Sequence, residues 1–183
     1  IKLPTITETS NSNRKGMPTH RRATFGKVVT RIGRYATESS ITYRYPEFYK
    51  KLCIIGEAIC PHTFTSIHII HNLTATPHKD TNNMGLSTIV AVGDYTGGLL
   101  AYEPLIPDDT PAPFRLHNTR HNPITFDGAK QLHWNTPDLV GDKYSFVFFT
   151  AAGEIIRPQY IPSLQRPYYT VFVNMPSTTT KDD

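Results

Sequence analysis

The chain has 183 residues, of which 38% are hydrophobic and 19% are charged. This length and composition exclude an intrinsically disordered protein and suit one domain over residues 1–183 with a buried core. The formal net charge of +4 is a modest basic excess that would help binding to a polyanion, although on charge alone an ordinary solvated surface explains it better. No apolar run approaches the ~20 residues of a membrane span, so we expect no membrane partner. We also expect an intracellular protein, nuclear in a eukaryote.

The first part of the chain is predicted to hold a polar arm and one helix. Residues 1–24 are rich in Thr, Ser, Asn and basic residues, which is typical of an arm that packs loosely on a domain or faces a ligand. The segment Glu47–Ile59 carries apolar residues at helical spacing between two prolines, which predicts a helix on the outside of a sheet. Cys53 and Cys60 form no CxxC pair, which excludes a zinc ribbon and favours two buried thiols over a disulfide.

From residue 64 onward, short apolar runs alternate with turn signals such as Gly97-Gly98 and Asp127-Gly128. Regularly spaced short strands indicate a mostly β fold of the sandwich or barrel type, and a jelly roll is one such double-sheet arrangement. We expect the tail Thr178–Asp183 to be disordered. The predicted strands are Phe64–Ile70, Ser87–Val92, Leu99–Glu103, Phe114–His117, Ile124–Phe126, Tyr144–Thr150 and Tyr168–Val173.

The triplet His78-Lys79-Asp80 is the most informative motif of the sequence. On an extended strand, residues two apart point to the same side, so His78 and Asp80 can direct an imidazole and a carboxylate at one point. A histidine from a distant strand would complete a two-histidine, one-carboxylate face with open positions, the ligand set of non-haem Fe(II) oxygenases. A surface histidine beside a solvated aspartate is the alternative interpretation, and the triplet alone does not exclude it.

His133 is the favoured third ligand because it lies just before a strongly apolar strand. Lys143 and Ser145 begin that strand two residues apart and therefore on one face. A lysine charge and a serine hydroxyl on that face can hold a small dicarboxylate. The remaining histidines fit better as surface or hydrogen-bonded side chains, and they are His20, His62, His68, His71, His117 and His121.

Four segments combine into one pattern: His78-Lys79-Asp80-Thr81-Asn82-Asn83, Gly93-Asp94-Tyr95-Thr96-Gly97-Gly98, His133, and Gly141-Asp142-Lys143-Tyr144-Ser145. This pattern resembles the 2-oxoglutarate/Fe(II) dioxygenase superfamily over about residues 60–150. Within that superfamily it is similar to the TET/JBP group, which oxidises the methyl group of 5-methylpyrimidines in DNA. The resemblance implies a mostly β (α+β) fold, a double-stranded β-helix or jelly roll with one or more flanking helices.

The resemblance also implies the cofactors and their ligands. Fe(II) would bind to His78, Asp80 and His133, with 2-oxoglutarate as cosubstrate and O2 as oxidant. Ser145 matches the serine of the family's Arg-x-Ser motif. Lys143 stands where the family usually has an arginine that clamps the distal carboxylate of 2-oxoglutarate.

Lysine at that position departs from the family pattern, since it keeps the charge and loses the planar two-pronged grip of arginine. Arg120 or Arg157 could take its place from a neighbouring strand. Asn72, at the end of the strand before the triplet, is a further candidate for contact with the other end of the cosubstrate.

A nucleic-acid substrate, with DNA favoured, requires that a base leave the stack to reach buried iron. The pocket then needs aromatic and amide groups, and Asn83, three residues after Asp80, is the first candidate for a base contact. Further candidates are Asn82, Tyr95, Tyr102 and Trp134, although core packing also explains Tyr102 and Trp134. The basic residues that could hold phosphates are Arg14, Lys15, Arg21, Arg22, Lys27, Arg31 and Arg34.

Two other functions fit the same sequence. One is a 2-oxoglutarate-dependent hydroxylase of a protein or small molecule, with unchanged fold and iron chemistry. The other is a non-enzymatic jelly-roll binding module that merely contains the triplet. DNA binding that weakens steeply with salt would favour a base oxidase over the hydroxylase. Absorption by an Fe(II)–2-oxoglutarate complex would favour an enzyme over the binding module.

Overall fold

The computed structural model describes residues 21–29, 35–105 and 113–155. Several predictions lie outside these residues. They concern the strand Tyr168–Val173, the tail Thr178–Asp183, His20, and the basic residues Arg14, Lys15, Arg31, Arg34 and Arg157.

The described residues form two helices and twelve strands. The helices are α1 (Ser40–Arg44) and α2 (Pro46–Ile59). The strands are β1 (Arg21–Val29), β2 (Tyr35–Glu38), β3 (Ser66–His71), β4 (Asn83–Val92), β5 (Tyr95–Thr96), β6 (Leu100–Tyr102), β7 (Arg115–His117), β8 (Ile124–Phe126), β9 (His133–Asn135), β10 (Val140–Gly141), β11 (Tyr144–Ala151) and β12 (Glu154–Ile155).

The strands build three sheets: a small pair of β10 with β5, and two larger sheets that share one interior. The larger sheet has the order β12-β2-β1-β3-β11-β4-β8, and the smaller has the order β7-β6-β9. An antiparallel bridge between His78 and His133 continues the smaller sheet beyond β9. From β3 to β11 the chain therefore alternates between the sheets: β3, His78, β4, β6 and β7, β8, β9, β11. Apolar side chains of β4, β6 and β8 pack together between the sheets, among them Ile89, Leu100 and Phe126. This alternation is the predicted double-stranded β-helix, or jelly roll.

Helix α2 packs on the outer face of the larger sheet, as the sequence predicts. Leu52 and Gly56 are its buried residues. Leu52 joins the core that lies under the helix, which includes Phe25, Phe64, Ile67 and Phe148. The helix begins at Pro46, and proline suits the first turn because N–H groups there have no hydrogen-bond partner within the helix. The next proline, Pro61, follows the end of the helix at Ile59.

The prediction that a polar arm extends to residue 24 is wrong at its end, because residues 21–24 belong to β1. This strand pairs with β3 over six positions, including Arg22 with Ile70 and Thr24 with His68. Phe25 is fully buried in the core under α2. The start of β1 has a polar sequence because the side chains of Arg22 and Thr24 line the interior cavity described below.

Cys53 and Cys60 are free thiols, as predicted, and both are half-buried rather than fully buried. Burial raises the pKa of the Cys53 thiol to about 11, so this thiol is protonated at neutral pH. Across the described ranges, no helix combines the length and apolar character that a membrane crossing demands.

Replacement of Gly56 by alanine tests the packing of α2. A Cβ atom there would lie 2.7 Å from the Phe148 ring and closer still to Phe64, so the helix would have to shift. We expect a net loss of about 1–2 kcal/mol in the free energy of unfolding, because overpacking outweighs the helix propensity gained. Urea denaturation measures this difference.

The matched control is Glu57→Ala, at the exposed neighbouring position of the same helix. It introduces the same side chain without a clash, and its effect should stay within about 0.5 kcal/mol. A Gly56→Ala protein that is more stable than the wild type would mean that α2 lies farther from the sheet than described.

Candidate metal centre

His78, Asp80 and His133 converge on one point at the edge of the smaller sheet. One ligand atom from each lies within 4.8 Å of the others. His78 Nε2 is 3.6 Å from Asp80 Oδ1, and His133 Nε2 is 3.5 Å from Asp80 Oδ2. The structure thus brings together the three residues that the sequence nominates, from segments more than 50 residues apart in the chain.

Backbone hydrogen bonds position the three side chains. His78 and His133 exchange two N–H···O bonds of 3.0 Å each, which places their rings side by side with centroids 4.3 Å apart. Asp80 lies two residues further along, and its N–H donates to the carbonyl of Gly128 at 2.8 Å. Gly128 leaves room for the carboxylate, since a Cβ atom there would lie 3.3 Å from Asp80 Oδ2.

Carbonyl groups fix the tautomers of the two imidazoles. His78 Nδ1 is 2.7 Å from the carbonyl oxygen of Thr76, and His133 Nδ1 is 3.0 Å from that of Gln131. A carbonyl oxygen only accepts, so Nδ1 carries the proton and the neutral ring has its lone pair on Nε2. Both lone pairs then face the Asp80 carboxylate. Three electron-rich groups in such proximity fit a shared cation, and this is the orientation expected of metal-ligating histidines.

The pKa of Asp80 lies below its usual value despite burial, which acts in the opposite direction. When the imidazoles carry a second proton, a hydrogen bond from His133 and the charges of His133, His78 and His68 outweigh the loss of solvation. A bound cation would supply the same positive charge to the carboxylate when the rings are neutral. Asp80 is therefore an anion at neutral pH. Asn83 supports it, because its Nδ2 donates to Asp80 Oδ2 over a long 3.4 Å.

His133 is a buried residue, only 6% exposed, and apolar groups and amides surround it. The ring of Phe126 meets the His133 ring edge-on at 5.0 Å. Gln131 holds the preceding turn, since its Oε1 accepts from the N–H of Asp127 at 2.7 Å. Sequence reasoning missed this role of Gln131. Its position between the Asp127-Gly128 turn and β9 is the feature that could have indicated it.

A cavity of about 440 Å³ extends from the three residues across the inner face of the larger sheet. Asp80 is the one acidic residue of its described lining, and the basic residues are Arg22, Lys27 and Lys79. The cavity is therefore suited to an anionic ligand. Lys27 forms a 3.0 Å ion pair with Glu38, and Lys79 is exposed.

Several predicted binding residues line this cavity. They are Asn82, Asn83, Trp134 and Ser145. His68 also lines it and accepts or donates a 2.6 Å hydrogen bond with the Thr24 hydroxyl through Nδ1. Sequence reasoning placed His68 among the hydrogen-bonded histidines and gave Thr24 no role. The alternation on β3 could have indicated the role of His68, because Ile67 and Ile69 face the core and His68 therefore points to the other side. Thr24 is paired with His68 on the neighbouring strand and faces the same way.

Lys143 lies outside the cavity lining and is only 2% exposed. Its ammonium donates to the carbonyl of Gly98 and lies 5.3 Å from the centre of the Tyr95 ring. Burial lowers the pKa of Lys143 to about 8, against the opposing charge of Asp138. Arg120 approaches the same ring, with Cζ 5.5 Å from its centre. The predicted contact of Lys143 with a cosubstrate stays a prediction.

Tyr95, Tyr102 and Asn72 also lie outside the cavity lining. Tyr95 is buried, with Lys143 and Arg120 near its ring, and Tyr102 packs against Phe126 at 6.3 Å between ring centres. Asn72 adopts a left-handed conformation with φ 53° and accepts from the Lys143 N–H at 2.7 Å. It also donates to Asp142 at 3.2 Å, so it fastens the end of β3 to the turn before β11.

No family model matches the sequence, and no curated protein matches it. Similar solved structures include an oxidoreductase of the 2OG-Fe(II) oxygenase family from Burkholderia pseudomallei and NgTET1 in complex with 5mC DNA. The first is 11% identical with a TM-score of 0.46, over 71% of this chain and 66% of that one. NgTET1 is 11% identical with a TM-score of 0.51, over 72% of this chain and 61% of that one.

The chain thus spans about two thirds of the length of these two structures. At this identity the likeness concerns the path of the backbone and not the chemistry. The likeness to NgTET1 shows that the two chains share one fold, the double-stranded β-helix described above.

Proposed function

We propose that this chain is an Fe(II)- and 2-oxoglutarate-dependent dioxygenase that oxidises the methyl group of a 5-methylpyrimidine, 5-methylcytosine or thymine, in nucleic acid. The observation that carries the proposal is the convergence of His78, Asp80 and His133 within 4.8 Å at one end of a cavity suited to anions. Two imidazoles and one carboxylate with open positions are the ligand set of non-haem Fe(II) oxygenases.

The residues present fit Fe(II). His78 and His133 would offer Nε2 and Asp80 would offer a carboxylate oxygen. When Fe(II), 2-oxoglutarate and O2 are bound, they supply the oxidising chemistry, in which a C–H bond becomes an alcohol while 2-oxoglutarate becomes succinate and CO2.

The protein contributes orientation and exclusion of water. The carbonyl groups of Thr76 and Gln131 hold both imidazole rings so that Nε2 faces the site. The low pKa of Asp80 keeps this ligand ionised without a bound proton. Phe126 covers the inner side of His133, which limits access of water to that ligand.

The cavity lining supports a nucleic-acid base as the substrate. Asn82 and Asn83 offer amide donors and acceptors beside Asp80, which suit the edge of a pyrimidine. Trp134 is half-buried in the lining and is held edge-on by Phe114 at 5.3 Å, so its ring is available as a stacking surface. NgTET1, which shares the fold, is bound to 5mC DNA in its solved structure.

Anaerobic titration tests the metal site. Addition of Fe(II) and 2-oxoglutarate to the wild type should produce the visible charge-transfer absorption of the ternary complex. Asp80→Ala and His133→Ala should lose this band and weaken Fe(II) binding by more than about 100-fold, since each removes a ligand rather than a residue that orients one.

His117→Ala is the matched control, because His117 lies on β7 outside the cavity lining and its Nε2 is 3.2 Å from the carbonyl oxygen of Asn122. It should keep both the band and the affinity. A wild-type protein without the band, in Fe(II) at saturating concentration, would rule out the proposed enzyme and favour a non-enzymatic module.

Product analysis tests the substrate. The wild type with Fe(II), 2-oxoglutarate and O2 should convert 5-methylcytosine in DNA to its hydroxymethyl form, detected by mass spectrometry of the nucleosides. Asn83→Ala should lower kcat/KM roughly 10-fold, because it removes one hydrogen bond to the base. The Fe(II) affinity of this variant shows whether the loss reflects the Asp80 contact instead.

Asn122→Ala, in an exposed loop, is the control for general effects and should leave turnover unchanged. Methylated RNA and free nucleosides, assayed in parallel, define the polymer. If 2-oxoglutarate is consumed while every methylated base stays intact, the base-oxidase proposal is wrong, and the alternative of a protein or small-molecule hydroxylase on the same scaffold takes its place.

A further inference from the structure

One turn, residues 127–131, supplies backbone acceptors to two of the three candidate metal ligands. The carbonyl of Gly128 accepts from the N–H of Asp80 at 2.8 Å. The carbonyl oxygen of Gln131 lies 3.0 Å from Nδ1 of His133. The conformation of this turn therefore sets the position of the carboxylate and the orientation of one imidazole together.

The side-chain amide of Gln131 closes the turn with both of its ends. Its Oε1 accepts from the N–H of Asp127 at 2.7 Å, and its Nε2 donates to the carbonyl of Glu103, just after β6. The backbone N–H of Gln131 also donates to the carbonyl of Asp127 at 2.8 Å. Gln131 is only 5% exposed, and hydrogen bonds in such surroundings are stronger than in water. An apolar side chain of the same size would lose both bonds of the amide.

His133 can carry its proton on either ring nitrogen. With the proton on Nδ1, the ring donates to the carbonyl of Gln131 and keeps its lone pair on Nε2, which is the form that binds a metal. With the proton on Nε2, the ring would donate to Asp80 Oδ2, which is 3.5 Å away, and the two ligands would occupy one another. The Gln131 carbonyl and the Asp80 carboxylate therefore compete for the same ring.

We propose that Gln131 is a positioning residue of the metal centre. By closing the turn, it keeps His133 in the tautomer that binds Fe(II) and prevents a hydrogen bond between His133 and Asp80 before the metal arrives. The proposal rests on the proposed function, because it assumes that these ligands bind Fe(II). It goes further, because it assigns the readiness of the site for the metal to one buried amide.

The tautomer is measured in the metal-free protein with ¹⁵N-labelled histidine, above about pH 8, where imidazoles are ordinarily neutral. NMR of the ring nitrogens identifies the one that carries the proton. In the wild type this should be Nδ1 of His133. Gln131→Met should shift the ratio of the two His133 tautomers roughly 5-fold toward the proton on Nε2, the factor expected for one weakened hydrogen bond.

His78 is the reference within the same molecule. Its Nδ1 is 2.7 Å from the carbonyl oxygen of Thr76, which is not part of the turn, so its tautomer should stay unchanged in Gln131→Met. Gly56→Ala is the control for a general loss of stability, because Gly56 lies in α2 on the other face of the larger sheet. It should leave both rings as they are in the wild type.

The affinity for Fe(II) is the second measurement. Anaerobic titration of Gln131→Met should give a dissociation constant roughly 10-fold above that of the wild type, the loss typical of a residue that orients a metal ligand. Gln131→Glu keeps the acceptor for the Asp127 N–H and, as a carboxylate, loses the donor to the Glu103 carbonyl. It should shift both measurements in the same direction, and it gives the answer where Gln131→Met does not fold.

Two results would overturn the inference. An unchanged ratio of His133 tautomers in a folded Gln131→Met protein would mean that the turn does not select the ring nitrogen. Equal shifts in His78 and His133, or a shift in Gly56→Ala, would mean that the whole fold has loosened. A wild type that binds no Fe(II) would instead remove the proposed function, and the tautomers of the metal-free protein would still show whether Gln131 positions His133.

Discussion

The antiparallel bridge between His78 and His133 is the contact on which the site depends. Its two backbone hydrogen bonds of 3.0 Å join a loop segment to the edge strand β9. Because the bridge sets the register, Asp80 falls two residues further on the same side, and all three ligand atoms come within 4.8 Å. A shift by one residue would turn both side chains of the triplet away from the cavity. Main-chain carbonyls accept from Nδ1 of both rings, so the same backbone fixes both the position and the tautomer of the two histidines.

The larger sheet has an apolar face under α2 and a face that lines the cavity. On β3 and β11, Ile67, Ile69 and Phe148 face the helix and are fully or almost fully buried. Their neighbours His68 and Ser145 face the cavity. Strand pairing is shared by both faces, so the packing of α2 against the outer face also stabilises the geometry of the inner one. The core under α2 is therefore part of what keeps the cavity residues in register.

Sequence reasoning recovered the features that depend on local pattern. Helical spacing located α2, alternation located most strands, and the spacing of the triplet nominated His78 and Asp80. It missed β1 because Arg22 and Thr24 make the strand appear polar, although polar residues belong on a wall that faces a cavity. It could not foresee the surroundings of Lys143, since these depend on Gly98 and Tyr95, more than 40 residues away in sequence. Likewise the left-handed conformation of Asn72, with φ 53°, follows from its bonds to Lys143 and Asp142 and not from its neighbours in the chain.

Burial gives Lys143 a structural role at the start of β11. Its ammonium donates to the carbonyl of Gly98 and lies 5.3 Å from the centre of the Tyr95 ring. Burial also lowers the pKa of Lys143 to about 8. Because the hydrogen bond is made to the backbone of a segment 45 residues earlier, Lys143 joins the start of β11 to the turn at Gly97-Gly98. The same lysine that the sequence nominates for an anion therefore also ties two distant parts of the chain together.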